Sequence, residues 1–133
     1  MEISLEESNF LAWEITNEVV HGFRVDDFKR KIGSTEEEFA STSKRLRAIE
    51  TTENVQIEAF EAVAYRNALA LTLYELGEDE FETRTGFDFD KGGRILREMN
   101  FLLLEKGLPG APPFTRQEIV DAWPGTPPLD SHD

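Results

Sequence analysis

The sequence predicts an all-α domain, a helical bundle of two pseudo-repeated units followed by a Pro-rich C-terminal tail. Apolar residues recur at intervals of three and four along its long segments, which is the spacing of one helix face. Glycines follow those segments where helices would end. The chain has 133 residues, 39% of them hydrophobic, which is enough for one core. We therefore predict a single helical domain over 1–106, with pseudo-repeats at about 4–50 and 56–106, and a tail over 107–133 that holds the prolines.

The first unit opens with "SLEESNFLAWEITNEVVHG", which predicts a long helix. Ser4 and Glu7 form a capping box at its start. Gly22 is expected to end it in the left-handed conformation. Its predicted inward face consists of Phe10, Trp13, Asn17 and Val20, widened by Leu11, Ile15 and Val19.

Two shorter helices complete this unit. "VDDFKRKIG" predicts a short helix that stops at Gly33. "STEEEFASTSKRLRAIE" predicts a helix that begins at Ser34, with acidic residues in its first turn and basic residues near its end, where the helix dipole favours each charge. "TTENVQIE" then predicts either a linker or a short extended piece.

The second unit begins with "AFEAVAYRNALALTLYELG", which predicts a long helix that is apolar over much of its surface. Such a helix either lies at the centre of the domain or is buried in a dimer. Its two apolar stripes are Phe60, Val63, Ala64, Asn67, Ala68 and Leu71, and Leu69, Leu73 and Leu76. "EDEFETRTG" predicts a short helix that ends in glycine.

The last predicted helix of this unit is "FDFDKGGRILREMNFLLLEKG", whose inward residues are Ile95, Leu96, Met99, Leu102 and Leu103. A further short helix is predicted in the tail at about 115–123, where Ile119, Val120 and Trp123 could dock on the core.

The two units share the order long helix, short helix, glycine, helix. Their alignment pairs Asn17 with Asn67, Phe28 with Phe81, and Gly33 with Gly86. Both asparagines fall on apolar faces, so we expect buried amides that bond to the backbone where helices pack. Phe81 is expected in the core, and Arg84 is expected to pair with Glu80 one helical turn earlier.

The charge balance restricts the classes of partner. The net charge of −13 argues against direct nucleic-acid binding, which needs clustered Lys and Arg, and against anionic membranes. It favours a basic protein partner, although the acidity could also be unrelated to any partner. The chain has no cysteine, no apolar run long enough for a membrane span, and an acidic start unlike a secretion signal. We expect a cytoplasmic protein.

Residues that could carry catalysis or hold a metal are few. In "GFDFDKGGRILRE", Asp88 and Asp90 match the first and third ligands of a calcium loop, but the later ligand positions fall on Gly92, Leu96 and Met99. The alternative is a helix start capped by acidic residues, which we favour. His21 and His132 are the only histidines, and no catalytic motif is present. We expect no metal, no cofactor and no catalytic residue, with an enzyme as a lesser alternative.

A dense acidic run that contains phenylalanines is the candidate partner-binding site. Its residues are Glu75, Glu78, Asp79, Glu80, Glu82, Phe87, Asp88, Phe89 and Asp90. An exposed aromatic ring among carboxylates would suit a basic partner, and either Phe87 or Phe89 could supply it. The other interpretation is a solvated acidic face with both rings in the core.

"NEVVHG", "DDFKRKIGSTEEE" and "EFETRTGFDFDKGGRILREM" resemble patterns of small acidic all-α bacterial immunity proteins of polymorphic-toxin and contact-dependent inhibition systems. The resemblance spans about residues 10–105 and departs from the pattern at "ASTSK". It implies a non-enzymatic protein that neutralises a basic, nuclease-type toxin by covering its active site, but it assigns no functional residue. The alternative hypothesis is a homo-oligomeric structural or regulatory protein, in which residues 59–76 form a homodimer seam.

Overall fold

The computed structural model describes residues 1–23 and 25–107. The predicted helical character is confirmed, with a small sheet added. The elements in chain order are β1 (Glu2–Ser4), α1 (Leu5–Asn9), two π-helical segments (Phe10–Ile15 and Glu18–Gly22), α2 (Phe28–Ile32), α3 (Glu36–Arg47), β2 (Asn54–Gln56), α4 (Ala59–Thr85) and α5 (Phe89–Glu105). The tail helix predicted at about 115–123 lies outside the described residues.

The small sheet pairs β1 with β2 in antiparallel fashion, so that Ile3 lies opposite Val55. Both of these side chains are buried. The extended interpretation of "TTENVQIE" is therefore the right one. The first strand was not predicted, because three residues before a helix cap show no period-2 pattern and their partner is distant in the sequence.

The first helical stretch starts as predicted, with the backbone N–H of Glu7 donating to Ser4 Oγ at 3.1 Å. It then widens into π turns, whose backbone bonds join residues five apart. Two hydroxyls bind carbonyls in this region: Thr16 Oγ1 donates to Leu11 O at 3.1 Å, and Ser43 Oγ donates to Ala12 O at 2.8 Å. The angle between successive side chains about the helix axis therefore differs from that of an α-helix.

The π turns make part of the predicted inward face wrong. Trp13 is 53% exposed, with the Arg47 guanidinium 4.9 Å from its ring centre, and Asn17 is exposed as well. The other residues that were predicted to face inward are buried in the core or lie half-buried against it: Phe10, Leu11, Ile15, Val19 and Val20. The expected buried amide at Asn17 is therefore wrong.

Gly22 is not left-handed, contrary to the prediction, and the stretch is capped by Phe23 in an extended conformation. The ends of two side chains, rather than backbone, occupy the space beside this glycine. A Cβ added to Gly22 would lie 2.4 Å from Glu18 Oε1 and 2.7 Å from Arg84 Nη2.

The short helix α2 ends at Gly33 with φ of 100°, as predicted. Helix α3 begins one residue later than predicted, because Thr35 rather than Ser34 caps it. The Glu38 N–H donates to Thr35 Oγ1 at 3.1 Å, and the Thr35 N–H donates to Glu38 Oε1 at 2.9 Å. Ser34 is instead buried beneath the helix start.

Helix α4 is the centre of the domain. Its side chains from Ala64 to Leu73 are buried against the rest of the chain, including Tyr65, whose ring centre lies 4.7 Å from that of Phe39. This central part of α4 is thus covered by the same chain, and a homodimer stays a prediction. Phe60, placed on an inward stripe by the sequence pattern, is 58% exposed.

The helix is interrupted at Gly77, whose backbone has φ of 71° and ψ of −179°. This separates the two helices that the sequence predicted on either side of "ELG". Nothing lies within 4 Å of a Cβ added at Gly77, so only the backbone conformation requires glycine there.

Replacing Gly77 by alanine should destabilise the protein by about 1–3 kcal/mol, because this region of backbone space is accessible almost only to glycine. Chemical denaturation followed by circular dichroism measures the loss. Gly86→Ala is the matched control. Gly86 has φ of 77° and ψ of 3°, an ordinary left-handed cap with an equally open Cβ position, so its smaller loss should be about 1 kcal/mol. Equal stability of Gly77→Ala and the parent protein would contradict the prediction.

Both halves of the described chain show the order long helical stretch, short helix, left-handed glycine, helix, with Gly33 and Gly86 in the matching places. The asparagine correspondence fails, however. Asn17 is exposed, whereas Asn67 is buried and donates from Nδ2 to Ile32 O at 2.9 Å. The amide prediction is confirmed at Asn67 alone, and the internal repeat stays a prediction.

Helix α5 packs along α4 through the predicted apolar face. Ile95, Leu96, Met99 and Leu103 are buried, and Leu102 is half-buried. Within the described parts of the chain, no helix is both long and apolar enough to cross a bilayer.

Candidate partner-binding site

The carboxylates of the acidic run are all exposed: Glu75, Glu78, Asp79, Glu80, Glu82, Asp88 and Asp90. We call this set the acidic surface. Glu75 precedes the interruption at Gly77, the next four lie on the short helical segment after it, and the two aspartates lie at the start of α5. Phe81 anchors the segment, since its ring is fully buried.

Neither phenylalanine that was considered as an exposed hot spot is exposed. Phe89 is buried, with its ring 6.0 Å from that of Phe81 in an edge-to-face arrangement. Phe87 is half-buried, with its ring centre 4.4 Å from that of Phe10 and Lys91 Nζ 4.9 Å from its own centre. Neither Phe87 nor Phe89 therefore offers an open aromatic ring to a partner of the acidic surface.

The segment that resembles half of a calcium loop is a helix start. Asp88 Oδ1 accepts a hydrogen bond from the Lys91 N–H at 2.7 Å, so its carboxylate caps α5. No group of three or more histidine and carboxylate side chains in the described residues is arranged to hold a metal ion.

Arg84 pairs across the fold rather than along its own helix. Its Nη2 lies 2.8 Å from Oε1 of Glu18, which is buried in the second π-helical segment. The expected pairing with Glu80 is wrong, because the absence of a side chain at Gly22 leaves room for the guanidinium to reach Glu18. This ion pair ties the segment that bears the acidic surface to the first helical stretch.

A second candidate surface, which the sequence did not predict, lies between α3 and the first turn of α4. It is an open cleft of about 440 Å³. Its lining residues are Glu37, Glu38, Ser41, Thr42, Arg45, Phe60 and Glu61. We call it the Phe60 cleft. A narrow crevice continues inward from it past Ser34 to Tyr65.

Glu61 is the buried acid of this cleft. Its Oε1 accepts from Arg45 Nη2 at 2.5 Å and from the Glu58 N–H at 2.8 Å, and its Oε2 accepts from Thr42 Oγ1 at 3.0 Å. Burial raises the pKa of Glu61, but these three hydrogen bonds and the Arg45 charge outweigh burial, so the net pKa lies below its usual value. The carboxylate is therefore ionised at neutral pH.

Glu61→Gln should lower stability by about 1–2 kcal/mol at pH 7, because the variant loses charge-assisted hydrogen bonds. The stabilising effect of Glu61 is fully present above about pH 4.5, the value for the unfolded chain. It is lost as the pH falls through the lower pKa of the folded state. Denaturation curves at several pH values should therefore show parent and variant converging in acid.

Glu7→Gln is the control with the opposite sign, since burial raises the pKa of Glu7. Protonation of Glu7 favours the folded state, so its replacement should make the loss of stability in acid steeper. A constant gap between parent and Glu61→Gln at all pH values would show that the Glu61 charge is not the cause.

Arg66 is a second buried charge, 4% exposed on α4. Desolvation lowers its pKa to about 10, so it is protonated at neutral pH. Its Nε and Nη2 donate to Asn67 Oδ1 at 3.2 and 2.9 Å. Among the described ion pairs none includes Arg66.

The Phe60 cleft was missed because the apolar pattern of α4 assigns Phe60 to the core. The available signal is its position in the first turn, before the continuous buried run that starts at Ala64. Glu61 gave no signal, since one glutamate among many near a helix start is typical of a solvated residue.

The described residues form a small acidic helical domain with a minor two-stranded sheet, and this domain bears two candidate binding surfaces. No protein-family model, no curated protein and no solved structure shows a significant match to this chain.

Proposed function

We propose that this protein is a non-enzymatic acidic binding protein, whose partner is a basic, nuclease-type toxin and whose role is immunity to that toxin. The observation that carries the proposal is the acidic surface, whose carboxylates are all exposed on a chain with a net charge of −13. The resemblance to toxin-immunity proteins supports the same function.

The physical basis is that carboxylates of this protein take the place of the substrate phosphates at the active site of the toxin. A nuclease active site attracts the phosphates of its substrate with basic side chains. Carboxylates fixed on a folded surface complement the same positive potential, increase the rate of association and exclude nucleic acid when bound. The half-buried and buried rings of Phe87 and Phe89 support this surface from beneath and do not serve as its contacts.

The test is co-purification with a candidate toxin from the neighbouring gene, followed by a nuclease assay. We expect binding at low ionic strength, inhibition of cleavage, and weakening of both as salt is raised. If the two proteins do not bind at low salt and the toxin remains active, the proposal fails.

A matched pair of variants locates the contact. Glu78, Glu80 and Glu82 are replaced together by glutamine in one variant, and Glu50, Glu53 and Glu105 in the other. All six side chains are exposed, and the change of net charge is the same. The first triple variant should bind the toxin at least about tenfold more weakly than the second, because rim charges act locally at close range. Equal weakening would mean that only net charge matters.

A further inference from the structure

The Phe60 cleft combines an open aromatic ring with a negative lining. Phe60, at 58%, is the most exposed of the large hydrophobic side chains for which exposure is described. The comparable Trp13 carries the Arg47 guanidinium over its ring. Phe60 has neither an aromatic ring nor a cation stacked on it among the described contacts. Its ring face is therefore open to a ligand.

The lining charges leave the cleft negative. Three carboxylates, those of Glu37, Glu38 and Glu61, face one guanidinium, that of Arg45. Arg45 is already bonded to Glu61, so its charge is compensated within the cleft. Glu38 Oε1 also accepts the Thr35 N–H, and the Lys29 charge helps to lower the Glu38 pKa, so Glu37 is the lining carboxylate with no described hydrogen bond or ion pair. Ser41 lies about one helical turn along α3 from Glu37.

The inner end of the cleft holds an unpartnered hydroxyl. Ser34 is 6% exposed, and its Oγ has no hydrogen-bond partner among the described residues. It lines the crevice together with Glu38, Thr42 and Phe60. The crevice has no room for even a water molecule, so the Ser34 hydroxyl marks the inner limit of the cleft, and a bound side chain would meet Phe60, Glu38 and Thr42 instead.

We infer that the Phe60 cleft receives a lysine or arginine side chain of a basic protein partner. The aliphatic stem and cationic head of such a side chain match an open aromatic face beside carboxylates and hydroxyl acceptors. This inference rests on the proposed function and adds a specific anchoring site to it. The acidic surface then provides long-range attraction, and the cleft provides the short-range contact.

The probe is a blocked heptapeptide in which three lysines alternate with glycines, titrated at low salt into the ¹⁵N-labelled full chain. We expect the amide resonances of Thr42, Glu61 and Ala64 to shift in proportion to binding. The same peptide with norleucine in place of lysine should shift them much less, because it lacks the charge.

Two matched pairs of variants test the geometry. Phe60→Ala should weaken peptide binding about fivefold, whereas Tyr74→Ala, which removes another half-exposed ring of the same helix, should leave it unchanged.

Glu37→Gln should weaken binding about threefold, and Glu36→Gln, its exposed neighbour outside the cleft, should have a smaller effect. Circular dichroism of each variant verifies folding, and Phe60→Leu retains an apolar contact while removing the aromatic face.

The outcomes separate this inference from the proposed function. Shifts confined to the acidic surface, with Phe60→Ala binding like the parent protein, would overturn the cleft as the anchor and leave the proposed function standing. No shift at millimolar peptide would overturn the cleft as well. The toxin co-purification decides the proposed function independently, since it does not depend on where the contact lies.

Discussion

Replacement of Phe81 by alanine is expected to lower the free energy of unfolding by about 3–5 kcal/mol, the largest effect of any single substitution considered. The Phe81 ring is fully buried, and it meets Phe10 and Phe89 edge-to-face at centre distances of 6.2 and 6.0 Å. It also packs directly on Gly92 of α5. A Cβ added at Gly92 would lie 2.7 Å from Phe81 Cζ. Removing the ring leaves a cavity between α4 and α5 that rigid helices cannot close.

Urea denaturation monitored by circular dichroism measures this loss. Phe60→Ala is the matched control, since it makes the same chemical change on the same helix at an exposed position. Its stability should stay within about 0.5 kcal/mol of the parent. A loss below about 1.5 kcal/mol for Phe81→Ala would mean that the α4–α5 contact relaxes far more than its packing indicates.

Asn67→Ala is expected to lower the free energy of unfolding by about 2–4 kcal/mol, because the buried amide of Asn67 forms hydrogen bonds with two other buried groups. Its Nδ2 donates to the Ile32 carbonyl at the end of α2, and its Oδ1 accepts from the guanidinium of Arg66. The variant leaves a buried charge and a buried carbonyl without these partners. This penalty far exceeds the loss of packing from a side chain of this size.

The double variant Arg66→Met with Asn67→Ala separates the two contributions. An apolar side chain in place of the guanidinium removes the uncompensated charge, so the double variant should recover about half of the loss. Thermal and chemical denaturation of the two single variants and the double variant form the required cycle. Additive losses would show that Asn67 does not stabilise the Arg66 charge.

Sequence patterns correctly predicted the structural features that depend on neighbouring residues. The left-handed caps at Gly33 and Gly86 and the Ser4 cap follow from residues adjacent in the sequence. The buried state of Asn67 follows from helical spacing, whereas that of Phe81 was expected from its alignment with Phe28, which is itself only half-buried. These features depend on a few neighbouring residues, and a single sequence contains that information.

Contacts between distant residues account for the errors. The position of Trp13 depends on π turns in which Ser43, far along the chain, binds the Ala12 carbonyl. The Arg84 partner depends on the approach of a different helical stretch. Periodicity assumes a regular α-helix and cannot report a carbonyl that is taken by a hydroxyl from another element.

The two candidate sites also differ in whether the sequence alone could predict them. The acidic surface could be predicted, since a dense run of carboxylates is costly to bury and therefore lies outside. The orientation of Phe87 and Phe89 could not, because both alternate with aspartates and the choice depends on which ring reaches Phe10 or Phe81. The Phe60 cleft depends on how α3 packs against the first turn of α4, which no local pattern specifies.

The interruption at Gly77 has a consequence for the entropy of binding. The short segment that follows it is held at one point by the buried Phe81 and at another by the Arg84–Glu18 ion pair. Its carboxylates therefore stand on a backbone that is already ordered before any partner arrives. A partner that binds there has to immobilise side chains only, so the unfavourable loss of conformational freedom on association is small. The like charges gathered on this segment repel one another in the free protein, and an arriving cationic surface relieves that repulsion.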